Sequence, residues 1–309
     1  MRTAIIDLGT NTFNLLIAEQ FDNTYKILRE EKYPAKLGKG GINDKKILPE
    51  AMDRGIEALK THLNTIEPYQ VDKILCMATA AIRSASNGSE FVKRVKNELD
   101  LDINVIDGQK EAELIFDGVK QVVPIGDERV MILDIGGGSN EFIIANKNGV
   151  LWKHSFDLGM ARLLDRFNPT DPISQKEIRE VESYIKTELD LLYKALEKYP
   201  TTTLIGSSGS FDTISNMIAA KHHPFLDMKK VTTYHIPLAY AKEMHQKFLS
   251  SSIEERRNMQ RMDLHRVEMI VLASIFINFI VDEFQIEEIW QCGFALKEGT
   301  ILQILNNQL

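Results

Sequence analysis

Two aspartates stand at equivalent positions in two closely similar segments. Residues 4–18 read AIIDLGTNTFNLLIA and residues 131–145 read MILDIGGGSNEFIIA, so that Asp7 aligns with Asp134 without a gap. Each segment is predicted to contain an apolar strand, an acid, a turn of small residues and a second apolar strand. Small-residue turns suit phosphate, because their N–H groups converge and no side chain blocks close approach. The repeat predicts two similar domains with both turns at one cleft.

The first of these turns offers polar side chains. An aspartate at the end of a buried strand is costly unless it is paired, hydrogen-bonded or metal-bound, so Asp7 is a candidate metal ligand. Thr10, Asn11 and Thr12 are candidate phosphate ligands through their hydroxyl, amide and backbone donors. Asn and Thr are also common turn formers. For this turn taken alone, a tight hairpin is the better explanation.

The second turn contains three consecutive glycines. A hairpin needs only one or two, so Gly136, Gly137 and Gly138 indicate that something approaches the backbone closely. With Ser139 they are predicted to form a phosphate cradle. Asp134 and Glu141 would supply hard oxygen ligands for Mg²⁺ beside it.

Two further segments could bind an anion. A Gly/Ser turn between a predicted strand and a helix presents N–H groups and the positive end of the helix dipole. Its candidate phosphate ligands are Gly206, Ser208, Gly209 and Ser210. A simple N-cap on Ser210 is the alternative. Arg83 follows a strand at the edge where α/β sheets bind ligands, and its guanidinium suits phosphate, although an ordinary surface arginine fits the pattern too.

A predicted helix near residue 110 carries two acids that could serve as a general base. Glu111 and Glu113 point about 200° apart on a helix, so only one of them can face a cleft. Acids in a first helical turn are also favoured by the helix dipole. The residue types alone do not decide which of the two acids faces the cleft. They also do not decide whether that acid caps the helix or takes part in catalysis.

Composition narrows the class of protein. The length of 309 residues fits two domains, and the net charge of −7 argues against a general binder of nucleic acid or anionic membranes. No apolar run approaches the roughly 20 residues of a membrane span. Met1 and Arg2 lead directly into a strand without room for a signal peptide. With only Cys76 and Cys292, no disulfide framework is indicated. We expect a cytoplasmic protein.

The order of elements predicts an α/β fold with a mixed sheet, present twice. Each half begins with a three-strand meander followed by alternating helices and strands. A break at Pro124 and Gly126 divides the chain into domains 1–124 and 125–309. The second domain is predicted to contain single long helices over 174–198 and 262–282.

Taken together, the chain resembles the Ppx/GppA family of exopolyphosphatases and guanosine pentaphosphate phosphohydrolases. The resemblance rests on the following ordered segments: IDLGTNTFNLLI, ATAAIRSASN, GQKEAELIF, LDIGGGSNEFII, SFDLGMARLLDRF and IGSSGSFDTI. It implies two duplicated actin-like ATPase (ribonuclease H-like) domains in the short form of the family, each with a mixed five-stranded sheet. A C-terminal helix over about 297–309 is expected to pack back on the first domain.

The resemblance also implies roles for single residues. It makes Glu111 the catalytic glutamate and Asp134 a metal ligand with Glu141 nearby. Phosphate contacts carry over to the following residues: Asn11, Arg83, Gly137, Gly138, Ser139, Gly209 and Ser210. The family pattern Y-G-L-R-E-G stands here as residues 294–299, FALKEG.

The implied reaction is Mg²⁺-dependent hydrolysis of terminal phosphoanhydride bonds of inorganic polyphosphate, releasing orthophosphate. Alternatives are a guanosine pentaphosphate phosphohydrolase, a sugar or acid kinase of the same superfamily and a non-catalytic sensor of guanosine tetraphosphate or polyphosphate. A homodimer without nucleic-acid or membrane partners is expected.

Overall fold

The two copies of the repeated segment begin two mixed β-sheets. The computed structural model describes residues 1–22 and 24–308. The N-terminal half contains, in chain order, β1 (Arg2–Leu8), β2 (Phe13–Phe21), β3 (Thr24–Tyr33), α1 (Pro49–Ile66), β4 (Lys73–Ala78), α2 (Ala80–Ser84), α3 (Gly88–Leu99), β5 (Ile103–Val105) and α4 (Gly108–Val119). Its sheet has the order β3-β2-β1-β4-β5. The first three strands pair antiparallel, and β4 and β5 continue the sheet in parallel with β1.

The C-terminal half repeats this plan and extends it. It contains β6 (Val130–Ile135), β7 (Asn140–Asn146), β8 (Gly149–Phe156), α5 (Met160–Phe167), α6 (Gln175–Glu188), α7 (Asp190–Lys198), β9 (Thr203–Ser207), α8 (Gly209–His222), β10 (Thr233–Ile236), α9 (Leu238–Ser250), α10 (Ile253–Arg257), α11 (Ile270–Glu283), β11 (Glu288–Cys292) and α12 (Leu296–Leu305). The sheet order is β10-β11-β9-β6-β7-β8. The predicted duplicated α/β fold is therefore confirmed.

The duplication extends to an irregularity in the strands. The pairing of β2 with β3 shifts register between Ile17 and Ala18, and the pairing of β7 with β8 shifts between Ile144 and Ala145. These are aligned positions in the two copies. Asp7 pairs with Asn14 across its hairpin, and Asp134 pairs with Glu141 at the equivalent place. The two halves thus share strand register as well as strand order.

The second sheet has six strands, so the prediction of five is wrong for this half. The sixth strand, β10, pairs antiparallel with β11 at the sheet edge. It has only four residues, of which Tyr234 and Ile236 are buried and Thr233 and His235 are more exposed. An alternation of buried and more exposed residues over only four positions, next to Pro237, is a weak strand signal in the sequence.

Two predicted helices have different bounds in the structure. The helix over 174–198 is divided between α6 and α7 at Leu189, which is fully buried like Ile185 before it, so the apolar pattern continues across the break. The helix over 262–282 begins only at Ile270. Residues 264–269 before it form turns, and within them the Val267 carbonyl oxygen accepts a 3.2 Å hydrogen bond from the Arg256 guanidinium.

Helices α4 and α12 pack against each other between the two sheets. Helix α4 contacts β7 and β8 of the second sheet, whereas α12 contacts β1 and β2 of the first. Ile301 of α12 is fully buried against Ile5 and Leu16. Two glycines make this close approach possible. A Cβ on Gly118 would collide with the backbone of Ala295, just before α12, and one on Gly299 would collide with the backbone of Leu114 in α4. The predicted domain boundary at residue 124 stays a prediction.

No helix of the described residues is both long enough and apolar enough to cross a membrane.

Candidate active site

The turns of the two repeated segments meet at a cavity of about 150 Å³. Most of the predicted site residues line it, namely Asp7, Thr10, Asn11, Thr12, Glu111, Asp134, Gly136, Gly137, Gly138, Ser139, Ser208 and Gly209. Four others, Arg83, Glu141, Gly206 and Ser210, are not part of this lining. The structure therefore brings together residues from four separate segments of the chain.

The glycines of the second turn are in close contact with the first turn. A Cβ on Gly137 would lie 2.5 Å from Nδ2 of Asn11, and one on Gly138 would lie 2.5 Å from Oγ1 of Thr10. Gly136 is constrained within its own turn, where a Cβ would lie 2.5 Å from the Ser139 carbonyl oxygen. In this structure the group that closely approaches the backbone of Gly137 and Gly138 is the opposite turn, and the phosphate cradle stays a prediction.

Glu111 is the acid of α4 that faces the cavity. Its Oε2 accepts a 2.7 Å hydrogen bond from Nη1 of Arg83, and the residue is only 7% exposed. Arg83 is held in turn by the Ile106 carbonyl oxygen at 3.1 Å. Glu113 instead accepts hydrogen bonds from Gln303 of α12 and from Lys110 of its own helix. The tertiary structure thereby decides between the two acids.

Burial shapes the protonation of Glu111. Removal from water raises its pKa well above the ordinary value, the negative charge of Glu141 adds to this rise, and the Arg83 guanidinium opposes it. A carboxylate whose pKa moves toward neutrality is a stronger base than one in water. Glu111 therefore has the position and the environment of a general base.

Asp7 and Asp134 both line the cavity. Burial raises the pKa of each to about 6. Asn14 donates to Asp7 over 2.9 Å, and Ser207 donates to Asp134 over 2.6 Å. The Oδ1 atom of Asp7 is shielded from solvent and has no hydrogen-bond partner among the described residues. Such an atom is suited to a cation.

Glu141 lies behind the glycine turn. Its Oε1 accepts hydrogen bonds of 2.6 Å from both Ser139 and Ser155. Burial and the neighbouring Asp134 raise its pKa to about 7. Within the described part of the chain, no three His, Cys, Asp or Glu side chains group closely enough to hold a metal ion by themselves. A metal here would depend on oxygens of the ligand as well.

The Gly/Ser segment has an unusual backbone conformation at the cavity edge. Ser208 precedes α8 with φ +74° and ψ 170°, a region that side chains rarely adopt and that costs on the order of 1–3 kcal/mol. Its hydroxyl donates to the Ile135 carbonyl oxygen at 2.7 Å. Ser210 is the second residue of α8, so the interpretation of Ser210 as the N-cap is wrong. Gly206 lies within β9 against the Phe211 ring.

Charged residues that the sequence did not single out complete the lining. Lys32 of β3 forms a 3.6 Å ion pair with Asp212 of α8, which joins the two halves across the cavity. Lys297 and Glu298 enter from the start of α12. The FALKEG segment of the family pattern contains Lys297 and Glu298, so the sequence did carry a signal for these two residues. Nothing in the sequence around Lys32, on the outer strand β3, marks it as a site residue.

Two similar sheets, each beginning with a meander and flanking one cleft, define the actin-like ATPase class of fold. Within that class, the chain belongs to the Ppx/GppA phosphatase family, whose model matches residues 16–308. The family and the predicted class of enzyme, a phosphoanhydride hydrolase, are confirmed at this level.

Solved structures and a sequence relative agree with the family. The chain superimposes on the crystal structure of an exopolyphosphatase from Cytophaga hutchinsonii with a TM-score of 0.96 and 38% identity, covering 99% of this chain and 98% of that one. A Haemophilus influenzae protein provisionally named an exopolyphosphatase is 25% identical over 98% of this chain and 91% of its own length. An Aquifex aeolicus member of the Ppx/GppA family shares the fold, with a TM-score of 0.80 at 24% identity over 100% of this chain and 98% of that one.

Proposed function

We propose that the chain hydrolyses terminal phosphoanhydride bonds of inorganic polyphosphate and releases orthophosphate in a Mg²⁺-dependent reaction. The similarity to the Cytophaga hutchinsonii exopolyphosphatase supports this substrate class. The observation that carries the proposal is the buried Glu111 carboxylate on the wall of a narrow cavity, facing glycine-rich turns.

The residues of this cavity match the requirements of phosphoryl transfer, which needs positioning and charge stabilisation more than covalent chemistry. The N–H groups of the two turns would bind the oxygens of the terminal phosphoryl group. Lys32, Arg266 and Lys297 would neutralise the chain behind it. Glu111 would accept a proton from the attacking water, and its ion pair with Arg83 fixes where that carboxylate stands.

The charge of the lining supports a cation. Five acidic residues (Asp7, Glu111, Asp134, Asp212, Glu298) face three basic ones, so a polyanion entering alone would be repelled. Asp7, with its unpartnered Oδ1, and Asp134 would hold Mg²⁺, which keeps several ligand positions for water and phosphate oxygens. Bound there, the ion would supply positive charge to the phosphoryl oxygens.

The size and chemistry of the cavity favour polyphosphate over guanosine pentaphosphate. Pockets for drug-sized ligands occupy about 300–1,000 Å³, against about 150 Å³ here. None of the described residues that line it is aromatic, so a guanine base would find no stacking partner inside. A chain end of small tetrahedral units fits this space better than a nucleoside.

The decisive experiment measures phosphate release from long polyphosphate, short polyphosphate and guanosine pentaphosphate, each with and without Mg²⁺. We expect release from both polyphosphates, only with Mg²⁺, and slower release from guanosine pentaphosphate. Faster turnover of guanosine pentaphosphate would assign the alternative substrate. Binding of polyphosphate without release would make the chain a sensor.

A further inference from the structure

The carbonyl groups of the glycine turn all point to one short segment at the start of α5. The Gly136 carbonyl oxygen accepts from the Met160 N–H at 3.0 Å, and the Gly137 carbonyl oxygen accepts from the Ala161 N–H at 2.8 Å. The Gly138 carbonyl oxygen accepts from Nε of Arg162 at 2.7 Å. Three consecutive carbonyls are therefore held by three consecutive residues.

This arrangement determines where the next three N–H groups point. A trans peptide unit is planar, with its C=O and its N–H on opposite sides, so fixing each carbonyl also fixes the N–H of the following residue. Those N–H groups belong to Gly137, Gly138 and Ser139, all of which line the cavity. No described residue accepts a hydrogen bond from any of the three. They are oriented for an anion.

The first turn has a similar arrangement made by backbone alone. The Thr10 carbonyl oxygen accepts from the Gly38 N–H at 3.1 Å, and the Asn11 carbonyl oxygen accepts from the Lys36 N–H at 2.8 Å. In both halves the segment that follows the third strand holds the turn. The second turn differs because one of its donors is a side chain, Arg162, which can be changed by mutation.

Arg162 also connects the glycine turn to the opposite half. Its Nη1 donates to the Ile42 carbonyl oxygen at 2.9 Å, and its Nη2 donates to the Ser84 hydroxyl oxygen at 3.1 Å. The Arg162 side chain is only 8% exposed. A buried guanidinium with these partners specifies one orientation, because losing any partner leaves buried polar groups unsatisfied.

We infer that Arg162 is a positioning residue, which holds the Gly137, Gly138 and Ser139 N–H groups toward the phosphoryl group. The inference deepens the proposed function and rests on the assignment of this cavity as the phosphate site. The alternative is that Arg162 acts only as a link between the two halves. Asn43 provides the control for that alternative, because it also joins the halves, donating to the Arg162 carbonyl oxygen at 3.1 Å and to Asp165 at 3.0 Å, without contacting the glycine turn.

The test compares orthophosphate binding by the full-length wild type, Arg162→Lys, Arg162→Gln and Asn43→Ala. Affinity comes from calorimetry, and the amide resonances of residues 137–139 are followed by NMR during the titration. We expect orthophosphate to shift those resonances in the wild type. Both Arg162 variants should bind about 10- to 100-fold more weakly, since small misplacements of binding groups cost that much, whereas Asn43→Ala should stay close to wild type. Thermal unfolding verifies that each variant is folded. If Arg162→Gln does not fold, Arg162→Lys, which retains the positive charge, still tests the inference.

Wild-type affinity in both Arg162 variants, or an equal loss in Asn43→Ala, would overturn the inference. Because the probe is orthophosphate, this result is independent of polyphosphate turnover by the wild type. Failure of the proposed substrate can therefore be distinguished from failure of the positioning role.

Discussion

At the scale of single residues, the cavity brings together carboxyl groups whose raised pKa values favour the neutral form. Glu111, Asp7 and Asp134 all have raised pKa values, and in each case burial is the largest cause. Hydrogen bonds and ion pairs offset only part of the effect of burial on these pKa values. Buried charge without full compensation is expensive, and such sites are where catalysis and ligand binding are found.

Replacing Glu111 by glutamine tests the general base. Glu111→Gln keeps the shape of the side chain and removes the proton acceptor, so phosphate release from polyphosphate should fall by about 10²–10⁴-fold. The matched control is Glu113→Gln, two residues along α4, whose carboxylate accepts from Lys110 and Gln303 outside the cavity. Release within a few-fold of wild type in Glu111→Gln, or an equal loss in the control, would contradict the assignment.

The pH dependence of turnover tests the environment of Glu111. The base must be ionised, so kcat/KM should rise with pH, with an inflection above the ordinary glutamate value of 4.5. Glu141 contributes to that raised pKa through its negative charge. In Glu141→Gln the charge is gone, so the inflection should move to lower pH. The control is Glu254→Gln on α10, where the replaced side chain is 70% exposed. If the inflection does not move in Glu141→Gln, the coupling between Glu141 and Glu111 is refuted.

At the scale of elements, the pair α4 and α12 places chemistry from both ends of the chain in one cleft. Helix α4 carries Glu111 at its start, and α12 carries Lys297 and Glu298 at its start. Their close packing depends on Gly118 and Gly299. Glycine is a poor helix former, so its presence in these helices is explained by contact and not by propensity.

Substitution of Gly299 by alanine tests this packing. Alanine should stabilise the isolated helix by about 1 kcal/mol, but its Cβ would collide with the Leu114 carbonyl oxygen of α4. We therefore expect a net loss of about 1–3 kcal/mol in the free energy of unfolding, measured by urea denaturation. The control is Gly126→Ala, where a Cβ meets nothing within 4 Å. Equal free energies of unfolding for Gly299→Ala and Gly126→Ala would show that α4 and α12 can move apart without loss of stability.

At the scale of the whole molecule, the cavity exists only where the two halves meet. Lys36 pairs with Glu268 at 3.3 Å, Lys32 pairs with Asp212, and Asn11 donates to the Met269 sulfur at 3.0 Å, each between the halves. A ligand in the cavity would touch both halves. Its binding should therefore stabilise the chain as one unit.

Thermal unfolding of Glu111→Gln with polyphosphate and Mg²⁺ tests this unity, because the variant should bind substrate without consuming it. At a ligand concentration 100-fold above Kd, stabilisation should reach about 2.7 kcal/mol, seen as an upward shift of one transition. Omission of Mg²⁺ should reduce the shift. Two separate transitions of which only one moves would show that the ligand contacts a single half.

The sequence by itself determined the duplication and the α/β class, and it pointed to twelve of the residues that line the cavity. Strand periodicity, the aligned aspartates and the glycine turn are local properties, so short segments suffice to reveal them. The strand β10 and the division at Leu189 were missed, because four residues or one buried position leave almost no periodic signal.

The resemblance to the family pointed to Glu111, and the tertiary structure shows why this acid faces the cleft and what the glycines contact. Helix geometry places Glu111 and Glu113 on different sides of α4 without indicating which side meets the cleft. The packing of α12, whose Gln303 donates to Glu113, determines this. The role inferred for Arg162 depends on bonds to Ile42 and Ser84, more than 70 residues away in the chain. Contacts of this kind are set by how the two halves pack, and the spacing of residues within either half does not contain them.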